Sequence, residues 1–199
     1  MITEERFVEI VRYNKEQSGV EFKCAGSMDD KPFVATVVRA ILGMSNRSGG
    51  GLVIVGIGDD HINIWPTGIP ADQLQTWRFD RLADIVAVYA DPTARFEMQV
   101  LDYDSKRFVI LEVAEFDDVP VLCRRSYGDT LHEGTLYVRS RRKPETVSVR
   151  SVQDLRDVLE LALKNHLARY LRLSSAAGIT LASKPTDDDL FAQQIKEFD

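Results

Sequence analysis

The stretch VEFKCAGSMDDKPFVATVVRAILGMSNRSGGGLVIVGIG, residues 20–58, sets the architecture. It opens on VEFKC (20–24), whose strict alternation predicts a half-buried strand, with Val20, Phe22 and Cys24 inward and Glu21 and Lys23 on the solvent side. DDKPFVATVVRAILGMSN follows, with Asp30 ahead of an early Pro32 and apolar residues at Phe33, Val37, Ile41 and Met44, the pattern of a capped helix. GGGLVIVGIG is a short β-branched run bounded by glycines and reads as a buried strand. Two strands joined by a helix usually run parallel in a right-handed crossover. The second strand then delivers Asp59 and Asp60 into a loop.

Working outward, TEERFVEIVRYN places Phe7, Ile10 and Val11 on one helical face behind a capping Thr3. Residues 71–90 carry Leu74, Trp77, Leu82, Ile85, Val86 and Tyr89 at helical spacing and predict one helix ending near Asp91-Pro92. RFEMQVLDY and KRFVILEVA, separated by Asp104-Ser105, read as a hairpin. Two more strands are expected near 120–125 and 134–139. Ser151 caps a long helix whose apolar stripe runs through Val152, Leu155, Leu159, Leu163, Leu167 and Leu171. The expected fold is α+β: a mixed, mainly antiparallel sheet flanked by helices, with a C-terminal helix and tail. The domain is placed at 1–172, and 173–199 reads as a small, polar and finally acidic tail that could carry a short helix over 187–197.

Composition narrows the function. The chain has 199 residues, 25 basic against 31 acidic, for a net charge of −6. Residues 121–150 hold seven basic and three acidic groups, so this stretch is +4 within an acidic chain and could face phosphate. Cys24 and Cys123, the two cysteines, lack zinc-site spacing and are both expected buried and unpaired. His61, His132 and His166 are scattered without ligand spacing, and Trp65 and Trp77 read as anchors of core or loop. The acidic start MITEERF lacks a signal-peptide pattern and no apolar run approaches membrane length, so a cytoplasmic protein is expected. NRSGGGLVIVGIGDD is not followed by Gly-Lys-Ser/Thr and places its glycines before a strand, which argues against a phosphate loop and for a tight helix-to-strand turn.

Glu16, Glu21, Phe22, Lys23, Asn46, Gly49, Gly50, Gly56 and Asp59, with the later VPVL (119–122) and LYVRS (136–140), resemble the Schlafen AlbA-like domain over roughly residues 10–150. The resemblance implies a nucleic-acid-directed protein. In the nuclease-competent members two glutamates and an aspartate bind a divalent metal and cut structured RNA such as tRNA. On that pattern Glu16, Glu21 and Asp59 would hold Mg²⁺ or Mn²⁺, hard cations suited to carboxylate oxygens, and Lys23 would complete the catalytic set by offsetting phosphoryl charge. Gly58 stands where relatives often carry an aspartate. The basic stretch RSRRKPE, with Arg139, Arg141, Arg142 and Lys143, could line a groove for RNA or DNA phosphates or be a solvated hairpin, and the resemblance singles out Arg139 through its Tyr-x-Arg strand. The resemblance also brings in a toxin or phage-defence setting, and a second copy that would supply the paired lobe of the vertebrate nucleases. The tail is a further candidate surface for a partner protein. A non-catalytic module that binds nucleic acid or a partner is the alternative. If Glu21 lies on a solvated face, Glu21→Gln should leave folding intact.

Overall fold

The structure, a computed structural model, describes residues 2–12, 18–59, 64–140 and 145–178, with the Asp59 side chain outside that set. Two units divide the chain, Met1–Leu163 and Lys164–Asp199.

In the first unit, strand β1 (Val20–Lys23) leads into helix α2 (Lys31–Ser45) and strand β2 (Gly51–Val55), after a first helix α1 (Glu4–Arg12). The strands β1 and β2 pair in parallel, with Glu21 opposite Val53, as the crossover rule requires. The start of α2 follows the sequence: the Asp30 carboxylate accepts from the Phe33 backbone amide, and Pro32 sits in the first turn. Thr3 likewise caps α1, its hydroxyl oxygen accepting from the Arg6 amide at 3.2 Å.

Strands β6 (Phe96–Tyr103) and β7 (Lys106–Val113) complete a four-stranded sheet in the order β1-β2-β7-β6. Only the first pair is parallel. The hairpin turns on Asp104 and Ser105, with φ of 49° and 57°, the mirror-image turn that matches strand twist. Both faces of the sheet are covered. On one, Val53, Val55, Val109 and Leu111 pack against α2. On the other, Phe22, Ile54, Phe108 and Ile110 pack with Phe7 and Ile10 of α1. That double burial explains the unbroken apolar runs of β2 and β7.

Several expectations are corrected. Asp59 does not simply enter a loop: Gly56, at φ 102°, turns the chain into a short hairpin of β3 (Ile57–Asp59) with β4 (Ile64–Pro66). The expected single helix over 71–90 is two, α3 (Ala71–Leu74) and α4 (Phe79–Tyr89). Between them the Trp77 indole donates to Gly26 O at 2.9 Å and the Thr76 hydroxyl accepts from the Met28 amide, tethers that draw this segment out of helical path. Cys24 is exposed because β1 ends at Lys23, whose carbonyl accepts from the Gly56 amide, and the alternation stops there. Cys123 is buried as expected.

Strand β5 (Ala90–Asp91) pairs with β8 (Leu122–Cys123), and β9 (Tyr137–Arg139) pairs with β10 (Thr146–Ser148), a strand the sequence reading missed. Helix α5 (Val152–Ala176) begins behind a true Ser151 cap, whose hydroxyl accepts from Asp154 N at 3.1 Å. Its burial differs from the expected stripe. Val158 and Leu161 join the core, whereas Val152, Leu155, Leu159 and Leu163 are exposed. In the second unit Leu167 and Leu171 are exposed on the same helix. The helix is apolar on more than one side, and periodicity selects the longer stripe without knowing which side joins the core. The expected helix over 187–197 lies outside the described residues.

The two thiols should therefore separate chemically. Burial pushes the Cys123 thiol above its usual range, depleting its thiolate. In the native protein a thiol-specific reagent should titrate Cys24 rapidly and Cys123 only after guanidinium is added; equal native rates would contradict this packing.

Candidate nucleic-acid site

Alternation aims Glu21 at the sheet face that carries α2, and β1 lies at the edge of the sheet. That face is not open to solvent as the sequence reading expected. The β9–β10 hairpin covers it, and Glu21 is only 4% exposed. Its Oε1 accepts from Lys23 Nζ at 2.6 Å, and its Oε2 accepts from Arg139 at 2.6 Å and the Thr146 hydroxyl at 2.5 Å. Arg139 also donates to Val20 O at 2.9 Å and to Ser18 O at 3.4 Å. One guanidinium thus neutralises the buried acid and satisfies carbonyls along the free edge of β1.

Two features hold the hairpin in place. Asn46, just past α2, is buried, and its side-chain amide donates to Val121 O at 2.8 Å and Tyr137 O at 2.9 Å while its oxygen accepts from Val121 N at 2.8 Å. It fixes β9 two residues before Arg139. Gly43 lets α2 approach β10: a Cβ there would lie 2.5 Å from Thr146 Cγ2, and no side chain fits.

Burial pushes the Glu21 carboxyl up, but the Lys23 and Arg139 charges, with hydrogen bonds from Lys23 and Thr146, outweigh it and hold the group below the usual carboxylate range. Glu21 is ionised and fully partnered.

Residues 16–148 match the family described as Schlafen, AlbA_2. The chain belongs to that family. No curated protein matches it. Among solved structures, the DIP2311 protein of Corynebacterium diphtheriae is 17% identical with a TM-score of 0.49, over 77% of this chain and 28% of its own. This chain therefore spans little more than a quarter of that protein's length. The N-terminal domain of a Nitrosomonas europaea protein related to the ATP-dependent DNA helicase RecG is 22% identical with a TM-score of 0.44, over 59% of this chain and 76% of that domain.

The family pattern and the geometry overlap in part. Arg139, far off in sequence, is brought to Glu21 and Lys23, and Asn46 and Gly56 have the structural tasks given above. Arg139 is placed inside, 8% exposed, where it faces Glu21. Glu16, Arg141, Arg142 and Lys143 lie outside the described residues, as does the side chain of Asp59. Parallel pairing of β1 and β2 leaves Asp59 beyond the end of both strands, past the bend at Gly56. Among the described residues no group of three or more His, Cys, Asp or Glu is placed to hold a metal. Thr146 was missed in the sequence, although the alternation of Thr146, Val147, Ser148 and Val149 was a usable strand signal beside the basic run.

The burial of Glu21 reverses the expectation that Glu21→Gln is silent. It leaves the Arg139 guanidinium buried and uncompensated, a defect of about 3 kcal/mol or more. The melting temperature at pH 7 should fall by roughly 6–12 °C. Because the folded carboxyl titrates below the unfolded one, the stabilisation is complete above the usual value of 4.5 and is lost as pH falls through the folded value. Urea melts of wild type and variant should therefore converge on acidification; equal stability at pH 7 would show that the pair is not structural.

Proposed function

We propose that this chain is a nucleic-acid-binding module in which the basic run between β9 and β10 meets phosphate and Glu21 serves as a buried counter-ion. The observation that carries this reading is the state of Glu21, whose two oxygens are both taken by Lys23, Arg139 and Thr146. A hard divalent cation needs carboxylate oxygens free to enter its shell. Glu21 as it stands does not fit the Mg²⁺ or Mn²⁺ set that the family pattern draws from Glu16, Glu21 and Asp59. Arg139, by the same contacts, is an interior post. Arg141, Arg142 and Lys143 follow it in the chain and are the residues assigned to phosphate. These three consecutive cations form the densest basic run in residues 121–150.

The second reading is a metal-dependent endoribonuclease acting on structured RNA such as tRNA, with Lys23 as a catalytic charge. The family pattern at Glu16, Glu21 and Asp59 favours it. A toxin or phage-defence role belongs to this second reading.

The two separate in one experiment. Labelled tRNA and duplex DNA should bind the full chain with a salt-dependent affinity, and replacing Arg141, Arg142 and Lys143 together by alanine should flatten the log–log salt slope by about one unit per lost contact. The RNA should remain intact with Mg²⁺ or Mn²⁺ present. An unchanged slope removes the basic run from the site. Cleavage that disappears in Glu16→Gln at unchanged melting temperature would replace the binding module by the nuclease.

A further inference from the structure

A cavity of about 410 Å³ opens between the start of α2, the exposed side of α4 and the loop after β8. It shares no residue with the β9–β10 hairpin, and its assignment is independent of the reading above. Two helices build it by simple periodicity. On α2, Lys31, Val34 and Ala35 share a face, and on α4, Arg81, Ile85, Val88 and Tyr89 do the same. Each helix thus places one cation at the lip and apolar side chains below it. The loop adds Arg125, Ser126 and Tyr127.

The floor is apolar, formed by the buried Met28, Val34 and Ala35 with half-buried Ile85, and the exposed Val88 lies at the rim. Tyr89 and Tyr127 meet edge to face, with ring centroids 6.5 Å apart and planes at 89°, and make a corner into which a flat ring fits against one face and one edge. The lip is cationic. Among the described residues no hydrogen bond or ion pair engages the Lys31 ammonium or the Arg125 guanidinium. Arg81 pairs with Asp29 at 2.8 Å, but both side chains are well exposed, so the pair is weak and the guanidinium can change partner. Three cations line an aromatic, apolar cavity in a chain of net charge −6. Its volume lies in the few-hundred-Å³ range of small-molecule sites.

We propose that this cavity binds a nucleotide, the base against Tyr89 and Tyr127 over the apolar floor and the phosphate between Lys31, Arg81 and Arg125. An aliphatic anion would leave the ring corner unused, and inorganic phosphate would leave the floor empty. A free mononucleotide and the phosphorylated end of a strand present the same chemistry.

Calorimetric titration of the full chain tests this. The ligands are AMP, UMP, adenosine, inorganic phosphate, octyl phosphate, and a tetranucleotide with and without a 5′-phosphate. AMP or UMP, or the phosphorylated tetranucleotide, should bind at least tenfold more tightly than adenosine or phosphate. The double variant Lys31→Gln/Arg125→Gln, at exposed positions and checked by its melting temperature, should weaken that binding by about tenfold or more, as loss of charge-assisted hydrogen bonds does. Preference for the mononucleotide supports a free ligand, and preference for the phosphorylated strand supports a strand end. The proposal is overturned if no nucleotide or tetranucleotide binds at millimolar concentration, if the double variant binds as well as wild type, or if octyl phosphate or inorganic phosphate matches AMP.

Discussion

Glu21 is a carboxylate on the covered face of an edge strand, and the arrangement of that side of the molecule follows from neutralising it. A lone buried acid would either take up a proton or pull its strand back toward water. Here a cation 118 positions later answers it, which obliges β9 to lie over β1 and β10 to bring Thr146 alongside. Asn46 and Gly43 make the same placement from the α2 side, one by holding the β9 backbone and the other by leaving room for Thr146. The result is an irregular, short-stranded layer that stays ordered over the sheet although its ladders are brief.

This division of labour separates the two charged regions. Arg139 is a fastening, and its charge is cancelled within a few ångströms. The cations of the groove between α2 and α4 are at the surface, and two of them, Lys31 and Arg125, form no ion pair among the described residues. Residue type alone does not distinguish these roles, since each is an arginine or lysine within an acidic chain. Burial and partner do.

Much of the fold was legible because local signals and tertiary packing agree there. The Asp30 cap, the β-branched run of β2 and the Asp104-Ser105 turn each report a backbone preference that the fold adopts unchanged. The readings failed where a distant contact overrode the local one. Alternation placed Glu21 opposite the apolar side of β1 correctly, yet nothing within eight or ten residues says that a hairpin beyond residue 136 covers that side. Trp77 and Thr76 leave the helical path for partners near residues 26–28, also remote in sequence. The α5 stripe failed differently, since the helix offers two apolar sides and only the tertiary core selects between them. For the candidate site, the family pattern named Glu21, Lys23 and Arg139 and the structure supplied their partners, among them Thr146, which no local signal tied to Glu21. The tyrosine corner and its cations went unread because they come from three separate segments.

The span of the Glu21–Arg139 contact also bears on the order of assembly. The β6–β7 hairpin closes over a two-residue turn, a local contact, whereas the contact of β9 with β1 closes a loop of more than a hundred residues. If the ion pair, with its span of 118 positions, forms only on the native side of the folding barrier, its effect is kinetic as well as thermodynamic. Interactions of that kind act chiefly on the rate of opening and leave the rate of refolding nearly unchanged. Glu21 would then govern how long the native state persists once formed, and the unfolding limb of a stopped-flow chevron is where that would be read.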